Sequence, residues 1–397
     1  MINKITIGLF IDTFFPMVDG VVMVVDNYAK RLVNYANVIV FAPEYPGVKY
    51  DDSKFEYKVV RCKSLKLPKL DYGLPIPKVD KDFMSKLENA KLDIVHIHSP
   101  FSMGKVGINY AKRNNIPVIG TMHSQYKQDF LRAVKFKPLA TVLTQMIIKQ
   151  YNKCNECWAV NTGVAKVYYD DYHCRMMPKV MNNATDMKPL NNIAYSLDII
   201  NKKHNIKEDE KVFLFVGRIN KLKNVFFIAN SLKILKEKFN FKFKMIYIGT
   251  GQDEENLKKI IIKNNMKNEI IMCGKITDRD ALASYYARAD LFLFPSLYDA
   301  SSIVQIEAAS QKTPTLFIEG AVTASTIKDN INGFVAPNKE EDYATRIKEI
   351  MGNKSLYQKV CENAYKDIYV DWDSQINKVY HSYLDHINKT KNSGMSG

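Results

Sequence analysis

The sequence predicts an α/β protein built from two doubly wound parallel sheets. Three observations carry that expectation. At 397 residues the chain is longer than one hydrophobic core usually organises, so two domains of roughly 200 residues each are expected. Short apolar runs bounded by turn residues alternate with segments of helical spacing, the pattern of strands buried on both faces. The alternation begins at Ile5, lapses in a polar stretch from Asn191-Asn192 to about Lys211, and restarts at Val212. The expected division is 1–190 and 191–373.

Composition narrows the class. A chain 46% hydrophobic and 25% charged is neither unfolded nor membrane-embedded by composition, and no run approaches the ~18 apolar residues that span a bilayer. Met1-Ile2-Asn3-Lys4 leads straight into a strand-like segment, so no secretory signal is expected. The expected location is the cytoplasm, peripheral on the inner face of the cell membrane. The net charge of +15 is uneven: residues 1–190 hold 27 Lys and Arg against 17 Asp and Glu, and residues 101–153 hold nine basic residues and one acid. Such a bias speaks to partners, not fold. Phosphate-bearing substrates and an anionic membrane surface fit it. Nucleic acid is not expected, since no recognition motif accompanies the charge. Cys154-x-x-Cys157 followed by His173-Cys174 invites a zinc reading. A strand directly after Cys157 and the lack of a second C-x-x-C oppose it, so reduced thiols are expected.

In chain order, Ile5–Ile11 reads as a buried strand and Phe14–Gly20 as a loop. Val21–Asn34 has helical spacing, and Val38–Ala42 is the next strand. This βαβ opening typifies nucleotide-handling domains, yet only Gly20 stands where a dinucleotide fingerprint needs three glycines. Residues 58–78 read as an irregular basic stretch interleaved with Leu, Tyr and Pro: a solvated loop, or a segment that contacts a membrane surface. Strands at Leu92–Ile97 and Ile116–Gly120 each deliver histidine at the C-terminal end, His96 and His98 from the first, His123 just after the second. Phe130–Lys153 is a basic helical segment with one apolar stripe, interrupted by Pro138. Strands at Trp158–Val160 and Lys179–Met181 close the first half.

The second half repeats the scheme. Val212–Val216 is followed by the basic loop Gly217–Asn224 and a helix to about Lys238. Phe243–Ile248 leads to Gly249-Thr250-Gly251 and a helix to Asn264; Ile270–Cys273 leads to Gly274-Lys275. Thr277–Asp280 reads as a capping box. Leu291–Phe294 is a strand, and Ser302 is the expected N-cap of a helix to about Gln311. Asp299 and Glu307 thus bracket a helix start, a place suited to phosphate. Pro314–Ile318 is a strand, helices follow from Lys339, and Ser393–Gly397 are expected to be disordered. The two D-x-D triplets, Asp278–Asp280 and Asp371–Asp373, fall at a helix start and between helices, not at a strand end, so no metal site is expected.

Taken together, these stretches resemble the retaining glycosyltransferases of family 4, over nearly the whole chain. The pieces come in the family's order: FFPMVDGV after the first strand, His96-x-His98, a T-x-H ending in His123, VGRINKLKN with Arg218 and Lys223, GTG, CGKI, and an E-x7-E signature present as Asp299-x7-Glu307. The resemblance implies the GT-B fold, two Rossmann-like domains facing across a cleft, with a final helix (about 374–392) returning to the first. It implies that Arg218 and Lys223 hold the donor diphosphate, assisted by the amides of Ile303 and Val304 beside Ser302. Glu307 would take the ribose hydroxyls and Asp299 the sugar hydroxyls. His123 would sit near sugar and acceptor, Gly20 would admit the donor, and Lys275 and Ile276 would flank the base. His98 and Asp19 would lie on the acceptor side. The donor is expected to be a UDP-sugar, UDP-glucose, and neither cofactor nor metal is implied.

The pattern departs from the family in two places. Its first carboxylate is Asp rather than Glu, one methylene shorter, and Ser301-Ser302 replace the usual Phe-Gly. The Asp-Gly of the first loop and the basic first domain look like the subgroup that glucosylates diacylglycerol; a polysaccharide or lipid-linked glycan is the alternative acceptor.

Overall fold

The computed structural model describes residues 4–66 and 73–395. The chain forms two compact units. One runs to Asn183 and takes back the chain from Trp372; the other is Ala184–Asp371.

The first unit is organised by a seven-stranded sheet of Thr6–Phe10 (β1), Asn37–Pro43 (β2), Lys58–Cys62 (β3), Ile94–Ile97 (β4), Val118–Met122 (β5), Glu156–Ala159 (β6) and Lys179–Val180 (β7). The order is β3-β2-β1-β4-β5-β6-β7. Every pairing is parallel, so all strands end at the same edge. β1, β4 and β5 are almost wholly buried, as their unbroken apolar runs require. The strand order reverses between β1 and β4, and a crevice opens at such a switch point. Asp12, just past β1, is buried at that edge. The Asp12 carboxylate accepts from Ser99 Oγ at 2.6 Å and from the Met103 amide at 2.9 Å. It thereby caps the helix Ser102–Arg113, whose own N-cap residue Phe101 makes no side-chain bond. Gly104 lets that helix close down, because a Cβ there would lie 2.0 Å from the Ser99 carbonyl oxygen.

The last helix, Trp372–Met395, belongs to this unit. Tyr383 stacks on Trp158 at 5.8 Å, His386 Nε2 meets Glu156 Oε2 at 2.6 Å, and Arg31 Nε donates to Asp373 at 3.0 Å.

The second unit carries Lys211–Val216 (β8), Phe243–Ile248 (β9), Ile270–Met272 (β10), Leu291–Leu293 (β11), Thr315–Ile318 (β12) and Phe334–Ala336 (β13) in the order β10-β9-β8-β11-β12-β13. All are parallel. The resulting 3-2-1-4-5-6 sheet is the doubly wound nucleotide-binding arrangement. Its core is rich in Phe, Leu, Ile and Tyr from both faces.

Several sequence expectations change. The basic stretch 58–78 is not irregular throughout: Lys58–Cys62 is β3, and Ser64–Lys66 pairs antiparallel with Gly73–Pro75. Residues 67–72 lie outside the described residues. The polar stretch after Asn191 is no linker, because Ile193–His204 is a helix that Asn192 caps and Ile200 anchors. The first boundary accordingly falls earlier, with Met187 already in the second core. Pro138 does not kink one long helix. It sits in the first turn of a second, Lys137–Tyr151, after Tyr126–Val134 has ended at Lys135 in the left-handed region. The cap of Arg279–Arg288 is Asp278 rather than Thr277. The final helix continues to Met395, into the segment expected to be disordered; residues 396–397 lie outside the described residues. All six cysteines are free thiols.

Candidate functional site

In the second unit, three loops leave the C-terminal ends of β8, β9 and β10 and interlock through glycine. Gly249 lies so close to Gly217 that a Cβ on it would be 1.9 Å from the Gly217 carbonyl oxygen, and Gly251 has a corresponding gap of 2.2 Å to the Ile219 oxygen. Both Gly217 and Gly249 have positive φ. The Gly249 amide donates to Gly274 O at 2.7 Å, joining the third loop. Asp253 accepts from the Lys221 amide at 2.9 Å, and Asn220 caps the turn that carries Lys223. The glycine motifs are thus what allow three backbones to form one shelf. Arg218 and Lys275 are exposed on it, and Ile276 is half-buried.

Across this shelf, on the other side of β8, β11 leads into the loop of Asp299. Lys223 Nζ is paired with Asp299 Oδ1, both largely shielded from solvent, and sits 5.4 Å over the Phe294 ring. Ser302 caps the helix Ile303–Ser310, its hydroxyl accepting from the Gln305 amide at 3.3 Å. Ile303 and Val304 supply first-turn amides, which have no acceptor within the helix. Glu307 is 6% exposed. Its Oε1 accepts from Arg279 Nη2 at 2.8 Å and its Oε2 from the Tyr286 hydroxyl at 3.0 Å. Burial pushes the Glu307 carboxyl above its ordinary value; the Arg279 guanidinium and the Tyr286 hydroxyl oppose that rise. Arg279 Nη2 also donates to Asp186 at 2.7 Å.

Arg279, Tyr286 and Asp186 are not among the site residues expected from the sequence, where Arg279 falls only within the Thr277–Asp280 capping box. One signal was available: a cation in the first turn opposes the helix dipole, so it implies a carboxylate partner elsewhere.

The first unit collects the remaining candidates. Asp19 caps the helix Gly20–Leu32 by accepting from the Val22 amide at 2.8 Å, so it already has a structural task. A Cβ on Gly20 would meet nothing within 4 Å, so nothing in the chain itself demands glycine there. His96, at the end of β4, is held at both ring nitrogens, by Tyr383 Oη at 2.5 Å and Thr121 Oγ1 at 2.6 Å. His98 follows it, with its Nδ1 3.1 Å from His123 Nε2. Burial holds all three imidazoles below the usual histidine value, with His123 lowered to about 3. They are neutral at physiological pH. The sequence reading placed His98 and His123 at two strand ends; the structure brings them into contact.

Two parallel sheets flanked by helices, with a glycine-lined shelf and a buried carboxylate at strand ends in the second unit, have the architecture of glycosyltransferases of the GT-B fold. Comparison with known proteins agrees. Residues 18–187 match the family model "Glycosyltransferase Family 4", and residues 197–367 match "Glycosyl transferases group 1". A protein of Acholeplasma laidlawii named alpha-monoglucosyldiacylglycerol synthase is 27% identical, over 94% of this chain and 99% of its own length. A glycosyltransferase from Rickettsia africae superposes with a TM-score of 0.75 at 19% identity, covering 97% of this chain and 99% of that one. Anabaena HepE, in a structure with UDP and glucose, superposes at 0.71 with 14% identity, over 96% and 100%. The chain belongs to glycosyltransferase family 4.

Proposed function

We propose that this enzyme transfers glucose from UDP-glucose to the hydroxyl of a membrane lipid such as 1,2-diacylglycerol, with retention of configuration. The observation that carries the nucleotide-sugar reading is the cluster in the second unit: a buried carboxylate at Glu307, a first-turn helix N-terminus, and Lys223 with Arg218 on the facing loop. A ribose diol needs a charged acceptor; a leaving diphosphate needs cations and amide donors. As the glycosidic bond breaks, negative charge grows on the β-phosphate. Arg218, Lys223 and the amides of Ile303 and Val304 stabilise it there more than in the ground state. The same phosphate oxygen then takes the acceptor proton on the face it leaves, which gives retention without a protein nucleophile. On this reading the cationic side chains do the work a divalent metal does elsewhere, and no cofactor takes part. Asp299 exchanges its ion pair with Lys223 for the hexose hydroxyls once the diphosphate claims the lysine. His123 serves sugar and acceptor, with Asp19 and His98 on the acceptor side. Lys275 and Ile276 flank the base, and the helix start at Gly20 admits the donor.

The lipid acceptor is supported by the Acholeplasma relative and by an exposed surface. On the helix Lys137–Tyr151, Ile147, Ile148 and Tyr151 turn inward, while Leu139, Val142 and Met146 are 44%, 56% and 51% exposed. Their i, i+3, i+7 spacing makes a stripe, continued by Phe136 and Leu131. Arg132, Lys135, Lys137 and Lys149 accompany it. An apolar stripe edged with cations suits an anionic bilayer surface, on the inner face of the cell membrane. Among the described residues, no helix is long and apolar enough to cross a membrane.

The deciding experiment offers UDP-glucose, UDP-galactose and GDP-mannose to the protein with diacylglycerol vesicles or glycan acceptors, and analyses products by mass spectrometry. A glucosylated lipid with an α linkage is expected. A glycan product would replace the lipid with the alternative acceptor. Nucleotide binding without any product would indicate a non-catalytic sugar-nucleotide module.

A further inference from the structure

The three histidines of the first unit are not equally satisfied. His96 spends both ring nitrogens on Tyr383 and Thr121. His98 spends Nδ1 on His123, and its Nε2 is buried with no hydrogen-bond partner. His98 is 1% exposed, and its ring packs against His96, 4.0 Å away between centroids, and Tyr28, edge-to-face at 5.4 Å.

A neutral imidazole carries one proton, so the His98–His123 bond exists in only two forms. In one, His123 Nε2–H donates to His98 Nδ1. The proton of His98 then sits on Nε2, as a buried N–H with no hydrogen-bond acceptor. In the other, His98 Nδ1–H donates to His123 Nε2, and the unpaired Nε2 of His98 is a bare lone pair. Orphaned buried N–H groups are the rarer defect, so the second form is favoured. It has a consequence for His123, whose Nε2 is now an acceptor: its own proton must be on Nδ1.

We propose that His98 is a positioning residue that sets the tautomer of His123, so that His123 offers an Nδ1–H donor to the ligand. This inference rests on the glycosyl-transfer reading, and it restricts the role of His123 there. An Nδ1–H can donate to a sugar or acceptor oxygen but cannot take a proton from the acceptor hydroxyl. His123 is therefore a hydrogen-bond donor, and the proton leaves with the phosphate.

The test uses the full chain labelled with 15N-histidine, in which long-range 1H–15N correlations report the tautomer of each ring. An Nδ1–H His123 and an Nδ1–H His98 are expected in the wild type. An Nε2–H His123 overturns the proposal, whatever the activity. Two variants separate positioning from packing. The side-chain amide nitrogen of H98N stands where His98 Nδ1 does, so this variant should leave His123 as Nδ1–H and recover most of the kcat/KM that the apolar variant loses. H98L lacks the donor and should lose on the order of tenfold or more, with His123 shifting to mixed tautomers. Equal losses in H98N and H98L, with an unchanged His123 tautomer in both, would also overturn it. The expected tautomers in a protein that transfers no sugar to any acceptor would leave the proton assignment standing and remove only the functional reading.

Discussion

Arg279 and Glu307 are joined at 2.8 Å from Nη2 to Oε1, and the same guanidinium reaches Asp186 at 2.7 Å. The pair stands beside Thr185, whose amide donates to Val370 O at 3.0 Å. The carboxylate proposed for ribose is thus tied, through one arginine, to the two chain segments that enter and leave the second unit. Arg279 is partly exposed while Glu307 is almost fully buried, so the pair has little solvent screening on one side only.

This geometry predicts a trade between stability and donor binding at Glu307. Its carboxyl is raised by burial. With the folded value above the unfolded one, ionising the group opposes folding: the cost appears as pH passes the unfolded carboxyl range and grows until pH passes the folded value. Glu307→Gln removes the charge and should leave the melting temperature at pH 7.5 equal or higher. Donor affinity should fall by about tenfold or more, the worth of a charged hydrogen bond to a ribose hydroxyl. Differential scanning calorimetry with UDP titration measures both; a clear loss of stability in Glu307→Gln would sink the argument.

Asp299 and Lys223 predict a different separation. Their ion pair occupies both proposed ligand groups, so Asp299→Ala releases the lysine for the diphosphate. UDP affinity should be unchanged or tighter, while kcat falls on the order of a hundredfold because the hexose loses an anchor. Isothermal titration with UDP, alongside steady-state rates, resolves the two. If Asp299→Ala abolishes UDP binding, its assignment to the sugar is wrong.

How much of this was legible beforehand follows physical lines. Strands such as Val212–Val216 and Phe243–Ile248 announced themselves because burial on both faces leaves unbroken apolar runs. The glycines at 217, 249 and 251 were visible as motifs, but their reason, the close approach of the loops after β8 and β9, appears only in three dimensions. The contact of His98 with His123 was half-visible, as two histidines at two strand ends. Arg279 was missed because its partner Glu307 is 28 residues away in sequence and no local pattern connects them. The helix Ile193–His204 was missed because its buried positions are few and its exposed ones, Tyr195 and Ile199, are apolar in a polar neighbourhood.

The buried histidines predict an acid-sensitive first unit. His96, His98 and His123 remain neutral in the folded state, whereas the unfolded chain protonates them near the ordinary histidine value of 6.5. Their folded values are depressed, so stability is fully present above about pH 6.5 and is lost as pH falls below it. Each costs about 1.4 kcal/mol per pH unit. Urea midpoints at pH 7.5, 6.0 and 5.0 should drop steeply over the lower interval, and His96→Phe, which removes one titrating ring, should flatten the slope. A midpoint independent of pH between 7.5 and 5.0 would show that these rings are solvated or paired with charge.

The exposed stripe of Leu139, Val142 and Met146 gives the last prediction. None of the three belongs to the buried core, so replacing all with serine should leave the melting temperature within about 2 °C. Each side chain would otherwise gain roughly 1 kcal/mol on entering an interface, so the triple variant should lose on the order of a hundredfold in vesicle partitioning. The neighbouring cations act through charge rather than area. Arg132→Gln with Lys135→Gln and Lys137→Gln should weaken flotation with phosphatidylglycerol vesicles while leaving the smaller binding to phosphatidylcholine unchanged. Equal recovery of the native protein on both vesicle types would remove the electrostatic part of the membrane reading. Full flotation of the serine variant would move the contact away from this helix, toward Leu65 and Leu74, which are also exposed.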